Sequence, residues 1–122
     1  MNTQIDGIYT CYMAGAEGNG FAMFVFRSGN ICGADPLGVK FDGKYNLQAD
    51  DVYVVEVTVS VPQGGLVVQG VSSGPSGITY TVNLSLTADF AEKDFVEVPT
   101  PLGPVNARFQ KIRGLEALDD GI

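Results

Sequence analysis

The side chains that carry most enzymatic chemistry are sparse in this sequence. Histidine is absent, so the chain cannot build a Ser/His or Cys/His nucleophile pair or a histidine metal site from its own residues. Its two cysteines, Cys11 and Cys32, are too few for a Cys-rich zinc cluster or a secreted disulfide framework. Free thiols pack like small hydrophobes, so both are expected in the core. No Gly-Lys-Ser/Thr phosphate loop occurs, and the Gly-rich run GAEGNG (15–20) reads as a hairpin turn that leads into no helix. The adjacent Asp50 and Asp51 are a carboxylate pair to weigh for acid/base work. Neighbouring strand residues point to opposite faces, which argues against a shared pocket and for a solvated turn or a partner-binding patch. The expectation is a non-enzyme with no catalytic residue, no metal site and no cofactor.

Charge narrows the partners. Acidic residues outnumber basic ones 14 to 7, giving a net charge of −7 and a pI near 4.2. Phosphate backbones and anionic lipid surfaces attract the opposite balance, so direct nucleic-acid or membrane binding is not expected. A basic protein surface is the natural complement. Residues 1–10 show neither the basic nor the apolar region of a secretory signal. No apolar run approaches the roughly 18 residues of a membrane-spanning helix. With the sparse cysteines, this predicts a soluble cytoplasmic protein.

The elements that must position any site read at period two. At 78–87, Ile78, Tyr80, Val82, Leu84 and Leu86 alternate with Thr79, Thr81, Asn83, Ser85 and Thr87. At 52–61, Tyr53, Val55, Val57, Val59 and Val61 are expected to face inward, against outward Glu56, Thr58 and Ser60. Such patterns fix a dry and a wet face and a sharp register. Further strands are predicted at 7–14, 20–27, 31–34, 39–47, 95–98 and 105–112, with a tight turn at Ser28-Gly29-Asn30. The sum is one all-β domain over 1–114 and an acidic, frayed tail over 115–122. Eight strands joined mostly by short turns predict an antiparallel up-and-down barrel with no long helix, a sandwich being the rival.

Three features point beyond the scaffold. The segment 20–27 is apolar on both faces, Phe21, Met23 and Val25 on one and Ala22, Phe24 and Phe26 on the other. One face is then covered by a loop or tail, or it forms a homodimer interface, for which Phe24 and Phe26 are the candidates. The Gly/Ser/Pro-rich stretch 62–77 is long for a hairpin loop and has an apolar centre, Leu66, Val67 and Val68. It is expected to plug the mouth of an apolar cavity. An eight-stranded interior holds side chains or one small ligand, and Phe41, Tyr45, Tyr53, Val55, Tyr80 and Leu84 are the candidate lining.

The segments DGIYT (6–10), FVFRSGNICGAD (24–35) and FDGKY (41–45) resemble, in order and spacing, the GrlR-like family of bacterial negative regulators of type III secretion. The Gly33-Ala34-Asp35 and Gly43-Lys44-Tyr45 motifs carry the likeness over residues 6–60, and ARFQKIR (107–113) is similar to the family's closing strand. The resemblance implies a lipocalin-like eight-stranded barrel with an apolar cavity, a plugging loop and a homodimer. It also implies an anti-activator that sequesters a transcriptional activator away from DNA. In the family's founding type an acidic surface run serves that contact. Here Gln48-Ala49-Asp50-Asp51 stands in its place, acidic only at Asp50 and Asp51, which become the partner-binding candidates. The alternative function is a carrier or sensor of a small apolar ligand.

Overall fold

A computed structural model describes residues 5–16, 18–65 and 74–115. Its strands are β1 (Gly7–Ala14), β2 (Asn19–Arg27), β3 (Asn30–Ala34), β4 (Lys40–Ala49), β5 (Val52–Val61), β6 (Ile78–Thr87), β7 (Val96–Val98) and β8 (Val105–Arg113). One 3-10 turn, Phe90–Glu92, follows β6. The expected spans at 7–14, 52–61 and 78–87 match β1, β5 and β6 residue for residue, and the others differ by one or two residues at one or both ends. Among the described residues no helix is long and apolar enough to cross a membrane.

All ladders are antiparallel, and the strands follow one another in the order β6-β5-β4-β3-β2-β1-β8-β7. Pairing of β1 with β8, from Ile8↔Arg113 to Ala14↔Asn106, curls the sheet into a nearly closed barrel. Among the described residues no ladder joins β6 to β7, which leaves a seam in the wall. That qualifies the expectation of full closure, and β7 explains it. Its pairing with β8 is three residues long and stops at Pro99, the first of three prolines in 99–104 that have no N–H to donate.

Alternation decides the interior. Along β5, Tyr53, Val55, Val59 and Val61 are buried, and Val54 and Glu56 are exposed. The glycines of the sequence motifs make room on this inner face. Phe24, Gly33 and Phe41 are cross-strand neighbours, and a Cβ on Gly33 would lie 2.5 Å from the Phe24 ring. A Cβ on Gly43 would lie 2.3 Å from the Glu56 carbonyl oxygen.

Two hairpins turn tightly. Ser28 and Gly29 have φ of 50° and 86°, and Asp50 and Asp51 have 46° and 66°. Two successive positive φ values mark the primed turns whose twist suits a hairpin, and Asp tolerates that region better than most residues.

Candidate functional site

The two ends of the barrel are built differently. One end collects the start of β1, the close of β2, β4, β6 and β8, and the 3-10 turn. Inward rings fill it. Phe90 packs against Tyr9 at 5.1 Å, Phe109 at 5.1 Å and Phe26 at 5.7 Å between centroids. Tyr45 stands 5.4 Å from Phe26 and 6.0 Å from Tyr53. Polar tips in this layer are satisfied: the Tyr9 hydroxyl donates to the Ile5 carbonyl at 2.7 Å, and the Tyr45 hydroxyl donates to the Asp6 carboxylate. Asp6 also accepts the Ser28 N–H at 3.0 Å, tying the chain start across this end. Burial raises the Tyr9 hydroxyl to about 12, with smaller contributions from Asp6 and Tyr53. Burial likewise raises Tyr45 and Tyr53.

Toward the other end the rings give way to a cavity of about 170 Å³. Phe26 and Phe109 contribute to its lining from the aromatic layer, with Cys11, Phe24, Phe41 and Ile31 among the walls. β5 and β6 add Val55, Val57, Val59, Val82, Leu84 and Leu86. Asn19, Asp35, Leu37 and Thr100 line it from the strand and loop ends on that side of the barrel. Cys11 is buried with its thiol pushed up to about 12 by desolvation, which makes it an apolar wall and a poor nucleophile.

Asp35 has a structural task. Its Oδ1 accepts the N–H groups of Leu37 and Val39, both at 2.9 Å. The Thr100 hydroxyl donates to the Gly103 carbonyl at 2.5 Å.

Of the expected cavity lining, Phe41, Val55, Tyr80 and Leu84 do line it. Tyr45 and Tyr53 do not. They face inward but sit one layer too deep, in the aromatic plug. Phe24 and Phe26 as dimer contacts are corrected outright, since both are buried inside the barrel. Parity puts Phe21, Met23 and Val25 outside instead, opposite Tyr12, Thr10 and Ile8 of β1. Tyr12 and Met23 are 55% and 46% exposed, and the Tyr12 and Phe21 rings pack at 5.1 Å. Cys32, expected in the core, is exposed beside Val25 on the same outer face. Asp50 and Asp51 are exposed at the β4–β5 tip, where the Asp51 carbonyl accepts the Ala88 N–H at 2.8 Å. Leu66, Val67 and Val68, the expected plug, lie outside the described residues, as does the tail beyond 115. The neck of their loop is held by a 2.7 Å bond from the Gly64 N–H to the Gly74 carbonyl.

Three contributors were missed from the sequence. Phe90 lies in the charged stretch ADFAEKD (88–94), where one isolated ring was the only signal. Cys11 and Phe109 alternate correctly, but nothing in the sequence says at which depth they sit.

Compared with protein-family models, with curated proteins and with solved structures, the chain matches none of them.

Proposed function

We propose that this chain is a binding module, not a catalyst, whose barrel takes a small apolar ligand through its open end. One observation carries this: a cavity of about 170 Å³ with walls of Val, Leu, Ile and Phe. Apolar walls with a few polar groups near the opening are the usual build of a small-molecule site. The test is titration with an environment-sensitive apolar dye, with displacement by benzene. Saturable, displaceable fluorescence supports the reading, and its absence removes it.

A second reading is favoured by the β4–β5 tip. There Asp50 and Asp51 stand exposed with both φ values positive. Together with the GrlR-like resemblance and the net charge of −7, this supports a negative regulator that sequesters a transcriptional activator through a basic surface. Such a chain would act in the cytoplasm, with no direct contact to nucleic acid or membrane. Rim charges set on-rate and salt dependence more than final affinity. Replacing Asp50 and Asp51 with Asn should therefore slow association with an activator captured by the wild-type chain from native lysate. Unchanged association kinetics at low salt would sink the role of the tip.

The reading includes a homodimer through the outer face of β1 and β2. Contiguous exposed apolar surface commonly marks a contact, and Tyr12, Phe21 and Met23 supply it. Met23→Glu should shift light scattering from dimer to monomer while leaving the circular dichroism of the barrel unchanged. A wild-type protein that is strictly monomeric at high micromolar concentration rules the dimer out.

A further inference from the structure

We propose that the cavity selects short, compact apolar cations, such as arylalkyl or short alkyl amines, and excludes fatty-acid-like anions and long chains. The inference rests on the ligand-binding reading above and deepens it in two independent ways, by size and by charge.

Size follows from the volume. A pocket for a drug-sized ligand occupies about 300–1,000 Å³, whereas an engineered apolar cavity of about 150 Å³ binds benzene. The barrel offers about 170 Å³. It cannot deepen, because the layer beneath its floor is filled by Phe90, Tyr9, Tyr45 and Tyr53 in ring contact. A single ring or a short chain fills the space, and a longer chain must leave its remainder in water. The walls also require that the buried part carry no polar group, since an unpaired polar group there is destabilising.

Charge follows from the lining. Among the described residues that form it, Asp35 carries the only formal charge, on the turn between β3 and β4. Its Oδ1 is committed to the Leu37 and Val39 N–H groups. Among the described residues Oδ2 accepts no hydrogen bond, which leaves it for a donor on the ligand. Among the described residues no lysine or arginine lines the cavity to receive a carboxylate head, and the whole chain is acidic at −7. A protonated amine seated at the rim meets the Asp35 carboxylate while its apolar body lies against the apolar walls.

The test is calorimetric titration at pH 7 of the full chain with phenethylamine, 3-phenylpropanoate, hexylamine and dodecylamine. Phenethylamine should bind at least tenfold more tightly than 3-phenylpropanoate. Each fully buried methylene strengthens binding about fourfold. Dodecylamine has six more than hexylamine and should nevertheless gain less than about tenfold in total. Asp35→Asn keeps an Oδ1 acceptor for the Leu37 and Val39 N–H groups and so retains the turn. It should weaken phenethylamine about tenfold, the usual worth of a hydrogen bond to a charged group, and leave benzene binding unchanged. Equal or tighter binding of 3-phenylpropanoate overturns the charge selection. A fourfold gain per methylene through dodecylamine overturns the size limit. Benzene binding with no amine preference leaves the cavity reading intact and removes only this inference, whereas failure of all the compounds and of benzene removes the cavity reading itself.

Discussion

The aromatic end and the open end of this barrel are lined by the same alternation of the same strands, yet one is packed and the other hollow. At the closed end, rings reach inward from β1, β2, β4, β5 and β8, and Phe90 enters from the 3-10 turn. At the cavity end, Phe24, Phe41 and Tyr80 share the lining with valines and leucines, and about 170 Å³ stays unfilled between the walls. The difference is one of side-chain volume, since eight strands enclose a width that large side chains just fill. A fold of this kind can place its stability at one end and its ligand site at the other.

That division can be broken from either side. The largest effect is expected for Phe90→Ala, which removes the ring that holds the plug together. It should lower stability by about 3–5 kcal/mol in denaturant titration. Leu84→Ala, on the cavity wall, should cost only about 2 kcal/mol, the low end for such truncations, because its surroundings are already loosely filled. Equal losses at the two sites would mean that both ends are packed alike.

High pH should strike the closed end. The hydroxyls of Tyr9, Tyr45 and Tyr53 are all raised above their ordinary value by burial, Tyr9 to about 12. The unfolded chain releases these protons near pH 10, while the folded chain holds them longer. The stability these groups contribute is therefore full below about pH 10 and lost as the pH rises through their raised folded values, that of Tyr9 being about 12. Tyrosine absorbance and melting temperature, followed together from pH 8 to 12.5, should show late ionisation coinciding with unfolding. Normal titration of all the tyrosines without loss of structure would place water at this end.

A smaller effect should separate the ends by sign. Val57→Leu adds a methylene to the cavity wall and should stabilise the protein by about 0.5–1 kcal/mol, as cavity-filling changes commonly do. It should also weaken benzene. Destabilisation with unchanged binding would mean that Val57 borders no usable space.

Much of the scaffold was legible because alternation specifies both strand and face. β5 and β6 could be read to the residue from their valines, leucines and threonines. Face assignment failed in β2, where both parities are apolar and only the pairing partners reveal that Phe24 and Phe26 turn inward. Depth was not legible at all. Tyr45 and Tyr53 have the parity of cavity residues, but parity names a face and not a layer, so their place in the plug emerged only with the ladder register. Asp50 and Asp51 are expected from the sequence in a solvated turn or a partner-binding patch, and the turn is where they stand. They are the two central residues of a tight turn, where short polar side chains tolerate positive φ. The open seam followed from the shortness of β7, set by the prolines after it. The motifs that carry the family likeness prove to be structural: Gly33 makes room for Phe24, and Asp6 holds Tyr45.

The most direct measurement is methyl NMR of the valines and leucines during a benzene titration. Saturable shifts should appear at Val57, Val59, Val82 and Leu84, with the ring signals of Tyr53 and Phe90 unmoved. Shifts that spread equally into the aromatic end, or none at saturating benzene, would contradict a barrel hollow at one end and sealed at the other.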